Sequence, residues 1–388
     1  MKYRFLIIFL SLALPFSLIS EDVEEEVVVI SSKYPVPLDE VVGSVATISQ
    51  EDIEGRIVNN LGDLMEQTIG VSVNKRTSYG RTYNEGISIR GLGGKRVNII
   101  VDGIRISDAY TGYGRDIVEM DLIKRVEILK GPSSALYGSD GLAGAVSYIT
   151  KDASDLADPG NNYYSISTTY DEDSDQNKIN FLGATVGQNI EALLQITSRD
   201  LSEGELHDDA TLTPNPLSAD QSSVLGKLKL ILSDSFEATI TADFQEWEGD
   251  IELNSDETMS FYPVILNTSE SVGVDEGTRE RVSLKLDFLG ESFFENGSIN
   301  IFTQETEQEQ QTTKSQQTFG NGLQAGPTEL SSEFRNYQFN QSIDGFSAEF
   351  FKTIGSDDFR RTHNLVYGFE YESTDTQRPR IRVSTNLM

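Results

Sequence analysis

From residue 160 onward, hydrophobic and polar residues take turns along the chain. Phe236, Ala238, Ile240, Ala242 and Phe244 alternate with Glu237, Thr239, Thr241, Asp243 and Gln245. Val282, Leu284, Leu286 and Phe288 alternate with Ser283, Lys285 and Asp287. Leu365, Tyr367, Phe369 and Tyr371 alternate with Asn364, Gly368, Glu370 and Glu372, with Val366 interrupting the polar side. A period of two marks a strand with one apolar and one polar face. A soluble sandwich shares that alternation. A membrane barrel adds strands of about ten residues or longer and connections that alternate between short and long. Here the short turns fall at Gln188-Asn189, at Asp234-Ser235 and over 290–296; the long connections fall near 200–222, 249–278 and 309–332. The pattern predicts about nine strands over 160–388, the last running from His363 to Ser373 into a loop that holds Arg378-Pro379-Arg380. A bacterial single-chain barrel has an even strand count. The chain is therefore expected to be the first portion of a longer protein.

Ahead of residue 160 the periodicity is mixed. Val45 to Ser49 reads as a strand, and Ser49 with Asp52 has capping-box spacing before Ile53. Leu61, Leu64 and Met65 recur at helical spacing up to Gly70. Strands are predicted over 71–73, 87–89, 97–101, 126–129 and 145–149, and a short helix over Asp116 to Ile123. Residues 35–152 thus predict one small α+β domain. The Gly91-Leu92-Gly93-Gly94-Lys95 run lacks phosphate-loop spacing and reads as tight turns. A compact domain placed before a barrel has one obvious seat, inside the pore, where it acts as a gate.

The N-terminus changes the compartment. Met1-Lys2-Tyr3-Arg4 is basic, Phe5 to Ile19 is apolar, and Ser20 precedes an acidic switch; residues 1–20 read as a signal peptide. In the leader, 21–34, an acidic run gives way to Val27-Val28-Val29-Ile30, followed by Pro35 and Pro37. Such a segment is a disordered leader or an extended strand able to join the edge of a partner's sheet.

Composition excludes several classes. The net charge of −31 argues against nucleic acid as a partner. With no cysteine there is no disulfide or thiolate metal site. Two histidines and no nucleophile motif argue against an enzyme. Two stretches mix Tyr, Arg, Ser and Gly, which combine contact area with oxygen recognition. They hold Arg76, Tyr79, Arg81 and Tyr83, and Arg105, Tyr110, Tyr113 and Arg115. They are the candidate ligand-binding loops.

Ser88-Ile89-Arg90-Gly91, Val101-Asp102-Gly103 and Arg125 to Pro132 (RVEILKGP) together resemble the plug signatures of TonB-dependent outer-membrane receptors. The resemblance spans the chain in order. It implies a membrane β-barrel with an N-terminal α+β plug, the chain holding the first nine or so of 22 antiparallel strands. It makes 35–152 the plug, 160–388 an incomplete barrel, and Glu26, Val27, Val28, Val29, Ile30 and Ser31 the TonB box. The location implied is the Gram-negative outer membrane. The partners implied are TonB with its inner-membrane energising complex, outer-membrane lipid, and an iron complex or haem protein; no resident cofactor is expected.

Leu136 to Asp152 most resembles the haem, haemoglobin and transferrin receptor branch. The implied function is import of haem or haem-derived iron, with a ferric siderophore or cobalamin as the alternative. A passive or structural barrel is the non-importer alternative. Receptors of that branch often ligate haem iron through a plug His and a loop His. This plug has none, which leaves His207 in a long loop, His363, or a phenolate from Tyr79, Tyr83, Tyr110 or Tyr113. Arg90, Arg125, Glu127 and Lys130 are expected to form ion pairs with inward-facing barrel acids.

Overall fold

The structure is a computed structural model that describes residues 27–41, 43–55, 61–74, 86–106, 119–138, 140–172, 175–202, 215–254, 258–261, 264–290, 293–319, 327, 329–355 and 363–386. The leader forms a two-residue ribbon, β1 (Val27–Val28) against β2 (Val36–Pro37). Next come β3 (Val45–Ile48), α1 (Gln50–Glu54), α2 (Leu61–Met65), β4 (Val71–Asn74), β5 (Gly86–Ile89), β6 (Leu92–Gly93), β7 (Val97–Val101) and β8 (Ile104–Arg105). The module ends with β9 (Ile123–Lys130), α3 (Ser134–Tyr137) and β10 (Gly144–Thr150). Ser49 and Asp52 close the capping box expected of them. The helix expected over Asp116 to Ile123 is, among the described residues, a single 3-10 turn at Met120–Leu122, with Ile123 already in β9.

Five of these strands make one mixed sheet in the order β3-β9-β10-β7-β8, with β10 and β7 parallel; β4-β5-β6 make a second sheet. Ile48, Ile53, Leu64, Met65, Ile87 and Ile89 pack with Val97, Ile99, Val126 and Tyr148 between the two. The β-branched runs in β7 and β9 are buried on both faces, which explains why they do not alternate.

The rest is a curved antiparallel wall. Its strands are β11 (Asn162–Asp171), β12 (Gln176–Val186), β13 (Ile190–Ser202), β14 (Leu217–Ser233), β15 (Phe236–Glu252), β16 (Thr258–Phe261) and β17 (Val264–Leu289). They continue with β18 (Asn296–Phe319), β19 (Glu329–Ile354), β20 (His363–Gln377) and β21 (Arg380–Asn386). Nine run side by side from β11 to β20; β16 folds back on β17, and β21 pairs with β19. Phe244, Val282, Leu284 and Ile301 point outward, while Thr241, Asp243, Gln245 and Arg281 point toward the plug and are buried. An aromatic cluster of Phe288, Phe294, Phe350 and Tyr367 girdles the outer face at the short-turn end, with ring centroids 5.3–6.0 Å apart.

The strands run much further than the apolar alternation. β17 and β19 have 26 residues each and occupy much of what the sequence assigns to long loops. About ten residues cross a bilayer, so the remainder projects beyond it. There both faces are polar, as in Thr303 to Thr313, and the backbone ladder continues without an apolar side to reveal it.

Candidate functional site

The segment that follows β1 is fastened to the plug through its backbone. Glu127, in the middle of β9, is 1% exposed. Its Oε2 accepts the N–H groups of Val29 at 2.9 Å and Ile30 at 2.8 Å. Its Oε1 pairs with Arg125 at 2.9 Å. The Tyr137 hydroxyl donates to the Ile30 carbonyl at 3.0 Å. The Val29 carbonyl accepts the Ser32 and Lys33 N–H groups. Val28 and Ile30 are buried, Ile30 among Ile100, Leu129 and Ala145. Burial pushes the Tyr137 hydroxyl up, and the Glu349, Glu127 and Glu370 carboxylates push the same way, so it stays a donor.

Lys33 carries the connection on to the wall. Its Nζ lies 2.7 Å from Glu349 of β19 and 3.4 Å from Glu370 of β20. Burial works against its charge, but the two carboxylates outweigh that effect and raise its pKa. The neighbouring Tyr34 stacks on Phe351 at 4.5 Å. With its backbone so occupied, the segment from Val28 to Ile30 must be released before it can join another sheet. Hydrogen bonds to charged groups contribute about 1.5–3 kcal/mol each, which sets the scale of that release.

The plug meets the wall through a charged seam. Glu119 pairs with Arg199 of β13, and both are buried. Asp121 lies 3.0 Å from Lys178 of β12, and its carbonyl accepts from Gln195 at 2.8 Å. Asp152 lies 2.8 Å from Lys227 of β14. At the centre, Arg281 of β17 donates to the Val101 carbonyl at 2.7 Å and sits 3.5 Å from Asp102 and 3.1 Å from Asp243 of β15. Arg279 completes the group, 3.1 Å from Asp243. Asp102, at φ 49° in the turn after β7, also accepts from the Thr150 N–H and hydroxyl at 2.9 and 2.7 Å. Burial favours its neutral form, yet Lys227, Arg281 and the Thr150 hydrogen bonds prevail and lower its pKa. Apolar contacts flank the charges: Leu122 and Ala153 pack on Leu182, Ala184, Leu193 and Leu225, and Ile104 on Phe302 and Ile343.

The polarity of this seam corrects the sequence expectation. The plug supplies mainly the acids and the wall the bases; Lys33 is the contact with the expected sense. Glu127 faces the leader, because its position in β9 points into the plug's own surface. Arg125 pairs with Glu127, Lys130 donates to the Ile69 carbonyl at 3.1 Å, and Arg90 is exposed, its N–H bonded to Gly70. Of the candidate loop residues, Arg105 is engaged with Asp140 at 3.1 Å. Arg76, Tyr79, Arg81, Tyr83, Tyr110, Tyr113, Arg115, His207 and Glu26 lie outside the described residues. His363 is exposed at the short-turn start of β20. Sequence reasoning missed Asp102, Glu119, Asp121, Asp152, Lys178, Arg199, Lys227 and Arg281. A signal was present: the wall bases sit on the polar side of period-two strands in an acidic chain.

A globular module seated against an arc of long antiparallel strands, with an outward apolar face and an inward polar one, defines a plug-bearing membrane β-barrel. Residues 37–145 match the TonB-dependent Receptor Plug Domain family. The chain is 37% identical over 126 residues to the vitamin B12 transporter BtuB of Vibrio vulnificus (strain CMCP6), covering 32% of this chain and 20% of that protein. It is 37% identical over 100 residues to the hemin receptor of Yersinia pestis, covering 26% and 14% respectively. Among solved structures, the FrpB iron transporter from Neisseria meningitidis (F3-3 variant) superposes with a TM-score of 0.60 at 17% identity, over 89% of this chain and 60% of that one. The Pseudomonas aeruginosa FpvA receptor gives a TM-score of 0.55 at 13% identity, over 92% and 55%. The chain spans a fifth or less of these curated relatives and about 60% or less of these solved structures.

Proposed function

We propose that the chain provides the gate and nine wall strands of an energised outer-membrane importer of iron complexes, with haem or haem-derived iron as its cargo. The single observation that supports this reading most is the sequestered leader segment. Val28 to Ile30 is a β-branched run of the chemistry that joins a partner's sheet, and it is held in place by one buried carboxylate and one tyrosine. TonB is the partner proposed to capture it in the periplasm, after residues 1–20 are removed as a signal peptide. Pulling on it would act on β9, which sits between β3 and β10 in the plug's main sheet.

The plug's attachment suits a gate. It is held by ion pairs and a few small apolar contacts, which can be broken and re-formed without opening a continuous core. A passive or structural barrel has no use for such a module. The haem reading rests on Leu136 to Asp152 and on likeness to a protein named as a hemin receptor. A ferric siderophore or cobalamin is the second reading, favoured by equal identity to a protein named as a vitamin B12 transporter.

Deleting residues 26–31 in the full-length gene tests the proposal. Uptake of haem-bound or siderophore-bound iron should vanish while ligand binding at the cell surface persists. Uptake that survives the deletion would defeat the importer reading.

A further inference from the structure

The outward face of the wall carries two cavities, stacked one above the other near β18 to β20. The lower is an open groove of about 590 Å³ lined by Ile240, Val282, Leu284, Ile301, Phe346 and Tyr371. These side chains belong to the apolar band, so the groove opens onto the hydrocarbon of the membrane. Its volume is that of sites which enclose a small molecule. Asp344 stands at its rim on the long-loop side. Directly beyond lies a smaller cavity of about 230 Å³ between Glu305, Glu307, Asn340, Ser342, Asp375 and Gln377. Strand register centres this cavity on Ser342, which lies opposite Glu305 on one side and Asp375 on the other. Each is one strand interval away, about 5 Å. Glu307 and Asp344 share the same face, two residues along β18 and β19.

No base of the wall neutralises these acids. Glu305, Glu307, Asp344 and Asp375 are exposed, and none has a hydrogen bond or an ion pair among the described residues. The excess continues along one outward row, Asp200↔Asp220↔Glu248↔Glu276↔Glu309, and Glu280↔Glu305 adds a like pair beside the cavity. Like charges directly opposite one another on a sheet face destabilise it. On β13 to β18 no described outward residue beyond the level of Phe244 and Val282 is a lysine or arginine. A cation from outside the chain removes that repulsion. Lipid tails are as apolar as the groove, so the groove positions a chain and the choice of lipid falls to the headgroup. An anionic head is repelled, whereas a positive one gains from each carboxylate, more strongly where the surroundings are less polar than water. Among the described residues no three acids are grouped closely enough to hold a metal ion; an ammonium needs no such ligand set.

We propose that the groove and the acid cavity form one lipid site on the outer face of the wall, with an acyl chain in the groove and an ammonium-bearing headgroup over Ser342. The site is separate from the lumen and the leader, and it does not depend on the importer reading. It fixes the height at which the long strands β17 to β19 leave the bilayer.

The test uses the full-length receptor, stripped of lipid in detergent, and titrates lipids back while native mass spectrometry counts those retained. The probes share their chains and differ in the head: phosphatidylethanolamine, which has an ammonium; N-acetylated phosphatidylethanolamine, which has lost it; and phosphatidylglycerol. The first should bind about tenfold more tightly than the other two, the gain expected of one or two net charge contacts at a membrane surface. E305Q/E307Q/D344N/D375N should abolish that preference without weakening phosphatidylglycerol and without moving the Trp247 emission maximum. Val282→Trp, which fills the groove, should weaken all three lipids alike. Equal affinity for the three lipids, a preference that persists in the acid variant, or native binding by the groove variant overturns the site. Tighter binding of phosphatidylglycerol that a chelator abolishes also overturns it, in favour of a divalent cation bridging the wall to a lipid phosphate.

Discussion

Glu127 and Ile30, 97 residues apart in sequence, meet through a 2.8 Å hydrogen bond from a backbone N–H to a buried carboxylate. A side chain from the centre of the plug sheet thus occupies a backbone position that another strand would need. The state of one carboxylate bears directly on whether the leader is held or offered.

Replacing that carboxylate with an amide should loosen the leader. Glu127→Gln keeps the shape but removes the charge that strengthens both bonds and the partner of Arg125. Losing about 1.5–3 kcal/mol should raise the mobile fraction of the leader roughly tenfold or more. The chain has no cysteine, so a spin label on Val29→Cys reports a single site. Identical label spectra with and without the Glu127→Gln substitution would show that the carboxylate does not hold the segment.

The charge group around Asp243 should matter far more than exposed pairs. Asp243→Ala strands Arg279 and Arg281 with one carboxylate fewer in a buried site. Breaking a buried pair costs about 3–5 kcal/mol, whereas Glu237→Ala, which removes the more exposed partner of Lys229, should cost under about 1 kcal/mol. Thermal unfolding in detergent should show a clear drop in Tm for the first and little for the second. Equal effects would contradict the buried network.

Acid should weaken the seam at Asp102. Its folded pKa is lowered from the ordinary 3.8, so its contribution is fully present above that value and is lost as pH falls through the lowered one. Its contribution to plug resistance to urea should be constant from neutral pH to about 4 and decline below. Asp102→Asn should remove that acid step. A variant curve parallel to the native one below about pH 4 would assign the step to other groups.

Gly277 admits the indole of Trp247. A Cβ there would lie 2.3 Å from Nε1, so Gly277→Ala must displace the ring from the β17 backbone. Trp247 is 7% exposed, and its emission should shift to the red in the variant. An unmoved maximum would mean that the wall yields instead of the ring.

Much of the wall was legible in the chain. Phe236 to Phe244 and Leu365 to Tyr371 announce strands with one lipid face, since lipid on one side and water or plug on the other impose period two. The same cue fails where both faces are polar, which is why the outer parts of β17 and β18 pass for loops and Arg378-Pro379-Arg380 falls in a loop. In the plug, the capping box at Ser49 and the buried runs at Val97 to Val101 and Val126 to Leu129 are local signals and appear as elements where expected.

The site was less legible. Glu127 belongs to a recognisable motif, but its partners are backbone N–H groups, which carry no residue-type signature. Arg281 and Asp102 lie in separate elements, and only the seating of the plug brings them within 3.5 Å.

By itself the sequence determined the class of fold, because side-chain periodicity reports which surroundings each face of a strand must meet. It also determined that a strand-forming segment precedes the plug. Only the tertiary structure decided which charges pair, that acids lie on the plug and bases on the wall, and that Glu127 faces the leader. Those outcomes depend on strand register and on the position of the plug within the wall, and neither is encoded by residues near one another in the chain.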